Sequence, residues 1–166
     1  MSKIFIFFLS LILAIILFPR QVTASEGTFF KYMVNADSSK VASQKGLSLG
    51  YQDEFLFLET KWELGLIADN SNRAGAKSSG FGSYSIGVEP HWQSFYINFF
   101  QGIAAITCPD TVLGGPLQFV EDFGFGIRDT KKGTAIGFNY KHISSAGIFQ
   151  PNQGRDLVGL QIMIPW

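Results

Sequence analysis

The sequence predicts an all-β fold, an eight-stranded antiparallel transmembrane β-barrel of the outer membrane that follows a cleaved signal peptide. Three observations carry that expectation. The N-terminus reads as an export signal, the rest divides into eight alternating segments joined by short and long connections in turn, and the last residue is an aromatic, Trp166.

The chain opens MSKIFIFFLSLILAIILFPRQVTA, with Lys3, an apolar run from Ile4 to Phe18 and a small-residue ending at Val22-Thr23-Ala24. That is the layout of a secretory signal peptide over residues 1–24, with cleavage after Ala24. The apolar run is about 15 residues, short of the roughly 20 that cross a bilayer as a helix. What remains, residues 25–166, is about the length of one domain. It is rich in aromatics and glycine, and the formal net charge of zero argues against a nucleic-acid partner. The single cysteine, Cys108, has no partner for an internal disulfide. Of the roles open to an odd cysteine in an exported protein, a buried hydrophobe is the expected one.

Beyond Ser25 there is no amphipathic-helix pattern, only short alternating segments separated by turn residues. Candidate strands lie at 28–34, 46–52, 56–68, 80–89, 94–106, 117–128, 133–144 and 155–165. Eight is the smallest number common in outer-membrane barrels. The connections Gln52–Phe55, Pro90–Gln93 and Asp129–Gly133 are short. Asn35–Gly46, Asp69–Gly80, Thr107–Pro116 and Ser145–Gly154 are long, at roughly ten residues each, as expected for tight periplasmic turns alternating with external loops.

Successive side chains on a strand point to opposite faces. One face is bulky and apolar: Trp62, Leu64 and Leu66; Tyr84, Ile86 and Val88; Phe95, Ile97 and Phe99; Phe119, Phe123 and Phe125. The other is small or polar, with Glu63, Ser83, Ser85, Asn98, Gln118, Asp122 and several glycines. A soluble sandwich would turn the bulky face to a second sheet, whereas a membrane barrel turns it to lipid. Alternation alone does not separate the two. The export signal, the loop rhythm and the terminal aromatic favour the membrane.

The last hairpin carries the chemistry. Before its loop the even positions are Ile136, Phe138, Tyr140, His142 and Ser144, so His142 and Ser144 end an apolar stripe side by side. After the loop Asp156 opens a second stripe, Val158, Leu160, Ile162 and Ile164. A serine hydroxyl needs a base to take its proton, and histidine is the usual one. A carboxylate on the other ring nitrogen fixes the tautomer and stabilises the imidazolium. With the N-terminus in the periplasm, the three residues lie at the external rim on the lipid side, where the leaflet is lipopolysaccharide.

The segment His142 to Asp156, HISSAGIFQPNQGRD, resembles the active-site region of the lipid A 3-O-deacylase (PagL-type) family. The shared elements are a His-x-Ser pair, Ala-Gly, Gln-Pro-Asn-x-Gly, and an acid fourteen residues after the histidine. Leu117-Gln118-Phe119 and Gly124-Phe125-Gly126-Ile127 also resemble the strand that precedes the family's catalytic hairpin. The likeness covers the C-terminal half of the mature chain well and the N-terminal part poorly. It implies an eight-stranded outer-membrane barrel that hydrolyses the ester at position 3 of lipid A. Ser144 would be nucleophile, His142 general base and Asp156 the orienting acid, with Asn152 and the Gly147 amide as oxyanion hole. No metal or organic cofactor is implied. Two departures stand out: Asp156 replaces the usual glutamate and Ser145 replaces an asparagine. Ser145 should face away from the site.

Glu121, on the apolar face beside Phe119 and Phe123, is either an acid that supports or substitutes for Asp156 or a rim carboxylate among headgroups. His91, next to Trp92 in a short turn, reads as a periplasmic interface residue. Lys141 and Arg128 are expected to pair with lumen carboxylates such as Asp122. Arg73 and Lys77 could meet lipid A phosphates or be merely solvated. Two alternatives to an esterase remain: a non-enzymatic structural or adhesion barrel, and a lipid A acyltransferase with its serine turned to the lumen. Whether the barrel forms a homodimer is left open.

Overall fold

The computed structural model of the protein describes residues 26–36, 44–55, 58–69, 78–109 and 112–166. The expected signal peptide, Arg73 and Lys77 lie outside them. Nine strands follow in order: β1 (Gly27–Asn35), β2 (Gln44–Phe55), β3 (Leu58–Asp69), β4 (Ser79–Val88), β5 (His91–Trp92), β6 (Phe95–Ile106), β7 (Leu117–Arg128), β8 (Ala135–Ser144) and β9 (Arg155–Pro165). Eight are long. The two-residue β5 is a hook inside the turn before β6, pairing Trp92 with Phe95. β2 continues through Phe55, so the turn expected at Gln52–Phe55 falls later.

Every long strand pairs antiparallel with its sequence neighbours, β4 pairs with β6, and β1 pairs with β9 from Gly27↔Pro165 to Asn35↔Leu157. The sheet therefore closes into an eight-stranded barrel with no open edge, which satisfies the backbone of every strand without water. The termini share one end with the short connections, the periplasmic arrangement; the long loops leave from the other end.

The outer surface is what a bilayer would cover. Trp62, Leu64 and Leu66 are 58%, 72% and 66% exposed, and Phe119, Phe123, Phe125, Ile136, Phe138, Leu160 and Ile162 continue the exposed apolar band. A band of this extent in water would be an aggregation surface. Trp166 meets Tyr51 edge-on at the periplasmic end, ring centroids 6.0 Å apart, and Trp92 is exposed on the turn there, an aromatic girdle.

The lumen is filled. Its middle holds an ion network: Lys31 Nζ is 2.5 Å from Asp122 Oδ2, and Lys141 Nζ is 2.5 Å from Glu63 Oε2 and 3.4 Å from Asp122. Ser48 and Asn139 donate to Glu63 and Asp122 at 2.6 and 2.5 Å. Lys61 stacks over the Phe100 ring at 3.7 Å. Buried charges persist only when paired and hydrogen-bonded; Lys31, Lys141, Glu63 and Asp122 are, whereas Lys61 Nζ makes no hydrogen bond among the described residues and has Asp122 4.0 Å away. Arg128 pairs with a lumen carboxylate as expected, though with one other than Asp122. It reaches Glu89, which also accepts from Gln52 and Asn98 at 3.1 and 3.2 Å. The reason is height along the barrel: Arg128 ends β7 at the periplasmic side, whereas Asp122 sits mid-strand. His91 Nε2, 3.4 Å from Glu89, belongs to that lower cluster, and burial pushes its pKa down.

The lumen is also less polar than its sequence signature. Phe29, Tyr96 and Phe100 point inward and are buried. Glycines across the sheet make room: a Cβ on Gly50 would lie 2.1 Å from the Phe29 ring, and one on Gly137 2.3 Å from the Tyr96 hydroxyl. Cys108, expected to be buried, is exposed. It lies past the end of β6 in an external loop, where its backbone carbonyl accepts from Ser79 at 2.6 Å.

Candidate active site

β8 turns Asn139, Lys141 and Ile143 into the lumen, which leaves Tyr140, His142 and Ser144 on the lipid side. Register then selects their neighbours. His142 stands opposite Asp156 of β9 on one side and Glu121 of β7 on the other, while Ser144 stands opposite Phe119.

His142 Nδ1 lies 2.7 Å from Asp156 Oδ1, with side chains 30% and 33% exposed. The carboxylate can only accept, so Nδ1 carries the hydrogen and Nε2 is left as the ring's acceptor. The Tyr140 hydroxyl donates to the same Asp156 oxygen at 2.6 Å. The expected pairing of His142 with Asp156 is thus made. Ser144, two residues along the same face, shares no hydrogen bond with His142 among the described residues. Side chains two apart have Cα atoms roughly 6.5 Å apart, within leaning distance, and catalytic contacts often tighten only with substrate bound. Glu121, though directly across from His142, accepts from Gln101 Nε2 at 3.3 Å.

The loop after Ser144 is built from its own backbone. Ile148 N–H donates to the Ser145 carbonyl at 3.0 Å, closing a tight turn whose central residues Ala146 and Gly147 have φ of 51° and 88°. Two consecutive left-handed residues call for glycine at one of them. Ser145 is fully buried, donating to the Phe149 carbonyl at 3.0 Å. It faces away from the site, as expected. Its N–H donates to Asn152 Oδ1 at 2.9 Å, which leaves the Asn152 amide NH2 as the donor end. Gly147 is exposed at the turn.

A second external loop braces the first. Gln153 N–H donates to the Val112 carbonyl at 3.0 Å, and Gly115 packs so closely on the Phe149 ring that a Cβ would lie 2.3 Å from it. Gln118 donates to the carbonyls of Leu113 and Gly115 at 3.2 and 2.5 Å.

Two residues escaped the reading of the sequence. Tyr140 was visible only as a member of the apolar stripe; the signal was its position two before His142, on the face that Asp156 joins. Gly154, with φ of 69°, lies against the imidazole, where a Cβ would be 2.8 Å from His142 Cε1.

A family model described as lipid A 3-O-deacylase (PagL) matches residues 41–165. Among solved structures the chain is similar to "Crystal structure of the outer membrane enzyme PagL", with a TM-score of 0.61 and 23% sequence identity, covering 83% of this chain and 99% of that one. That likeness establishes a shared fold. No curated relative matches the chain.

Proposed function

Because this chain belongs to the lipid A 3-O-deacylase (PagL) family, we propose that it removes the 3-O-linked acyl chain of lipid A in the outer membrane through a Ser144–His142–Asp156 triad. The observation that carries the reading is the His142–Asp156 hydrogen bond on a lipid-facing surface, with a serine two residues away on that face.

Substrate approaches within the leaflet, its acyl chain along the apolar outer wall. Ser144 Oγ attacks the ester carbonyl carbon while its proton passes to His142 Nε2. Asp156 holds Nδ1–H and stabilises the imidazolium that forms. The tetrahedral oxyanion takes hydrogen bonds from the Asn152 amide NH2 and the Gly147 N–H. Collapse breaks the bond to the sugar oxygen, which leaves with the proton from Nε2. The acyl chain then sits on Ser144 as an ester. Water attacks that ester, gives a proton to Nε2, and a fatty acid departs as the serine regains its hydrogen.

The test is to express the protein in a bacterium that has intact lipid A and no other deacylase, then weigh the lipid. Wild type removes the mass of one acyl chain. Ser144→Ala and His142→Ala leave lipid A unchanged although the barrel is inserted. Deacylation by either variant would remove that residue from the mechanism.

A further inference from the structure

We infer that Tyr140 is a positioning residue of this site, its phenol fixing the Asp156 carboxylate so that the aspartate can orient His142. The inference rests on the triad reading above.

Tyr140 and His142 stand two apart on the outer face of β8, and both reach one oxygen of Asp156 on β9, at 2.6 and 2.7 Å. The first distance falls in the range of charge-assisted O–H···O⁻ bonds, roughly 2.5–2.7 Å. Asp156 is directly opposite His142, and Tyr140 is opposite Val158, so the phenol approaches the carboxylate diagonally from the membrane side. An aspartate side chain has a single χ1-bearing methylene between backbone and carboxylate, so its oxygen must be aimed by its neighbours rather than by reach. At a lipid boundary a carboxylate that lacks donors is costly to keep charged, and Tyr140 supplies a donor where water is scarce. An interfacial tyrosine ordinarily points its hydroxyl to headgroups. This one is turned to the acid instead.

Tyr140→Phe removes the donor and little else. Assayed on lipid A in mixed micelles, it is expected to lower kcat roughly 10- to 150-fold, the range for losing one hydrogen bond to a charged group, with KM nearly unchanged. Made in an Asp156→Asn background, the same substitution should cost less than about twofold, because its effect passes through the carboxylate. The chain has two histidines, so ¹⁵N spectra of the imidazoles give a readout independent of turnover. The wild-type His142 ring should be held in the Nδ1–H form, and Tyr140→Phe should lose part of that bias. Wild-type turnover in Tyr140→Phe, an undiminished penalty in the Asp156→Asn background, or an unaltered His142 spectrum would each overturn the inference. An inactive His142→Ala beside a fully active Tyr140→Phe would remove only Tyr140; an active His142→Ala would remove the triad itself.

Discussion

At the scale of single residues, the site depends on which face each side chain takes. The outward placement of His142, Ser144 and Asp156 is legible because parity along a strand is a strict alternation and the spacing of the hairpin motif is distinctive. Tyr140 was not, because a tyrosine in an apolar stripe reads as membrane-facing bulk, and only the tertiary direction of its hydroxyl makes it polar. Asn152 was legible as a polar loop residue, but its carbonyl turns out to be spent on the Ser145 amide. Gly154 shows how little room the His142 imidazole has. Its φ of 69° and its contact with the imidazole both require the absence of a side chain. Gly154→Ala should therefore displace the His142 ring and lower deacylation by at least about tenfold, since small misplacements of a catalytic group are expensive. The barrel should still insert, which trypsin resistance or an unchanged far-ultraviolet spectrum would verify; wild-type turnover would show that the ring has room to spare.

Among elements, the eight long strands and their order follow from alternation and loop rhythm, and all eight lie close to their expected bounds. What alternation cannot supply is which lumen side chain meets which, because partners such as Lys31 and Asp122 are far apart in sequence. Hence the class of partner for Arg128, a lumen carboxylate, is legible but its identity as Glu89 is not, and neither are the inward aromatics with their facing glycines. The central ion network ties β1, β3, β7 and β8 together through Lys31, Glu63, Lys61, Asp122 and Lys141. Asp122→Ala would leave three buried lysines facing one carboxylate. It should destabilise the barrel by about 3–5 kcal/mol, as when one partner of a buried pair is removed. The measurement is thermal unfolding in detergent micelles, and an unchanged midpoint would mean that the network carries no net stability. β7 also bears Glu121 on its outer face, so a loss of activity in this variant should track loss of fold rather than precede it.

For the whole molecule, one division organises the site: an ion network packed with inward apolar and aromatic side chains inside a closed cylinder, lipid-facing apolar bulk outside, and a hydrogen-bonded histidine–aspartate pair on the outside at the end with long loops. That division was readable because alternation, strand number and loop rhythm agree with one another. Cys108 misled because a loop position carries no parity. A lumen-facing serine, as the acyltransferase alternative requires, would be reached from water or through the barrel mouth; an outward-facing one is reached from the leaflet. A reactive fluorophosphonate on a long alkyl chain, partitioned into proteoliposomes, discriminates between them when compared with a short water-soluble analogue. The bilayer-partitioned reagent should modify Ser144 much faster than the soluble one, and His142→Ala should abolish the modification. Labelling at another residue, or an unlabelled Ser144 in a preparation that is actively deacylating lipid A, would contradict the Ser144–His142–Asp156 reading.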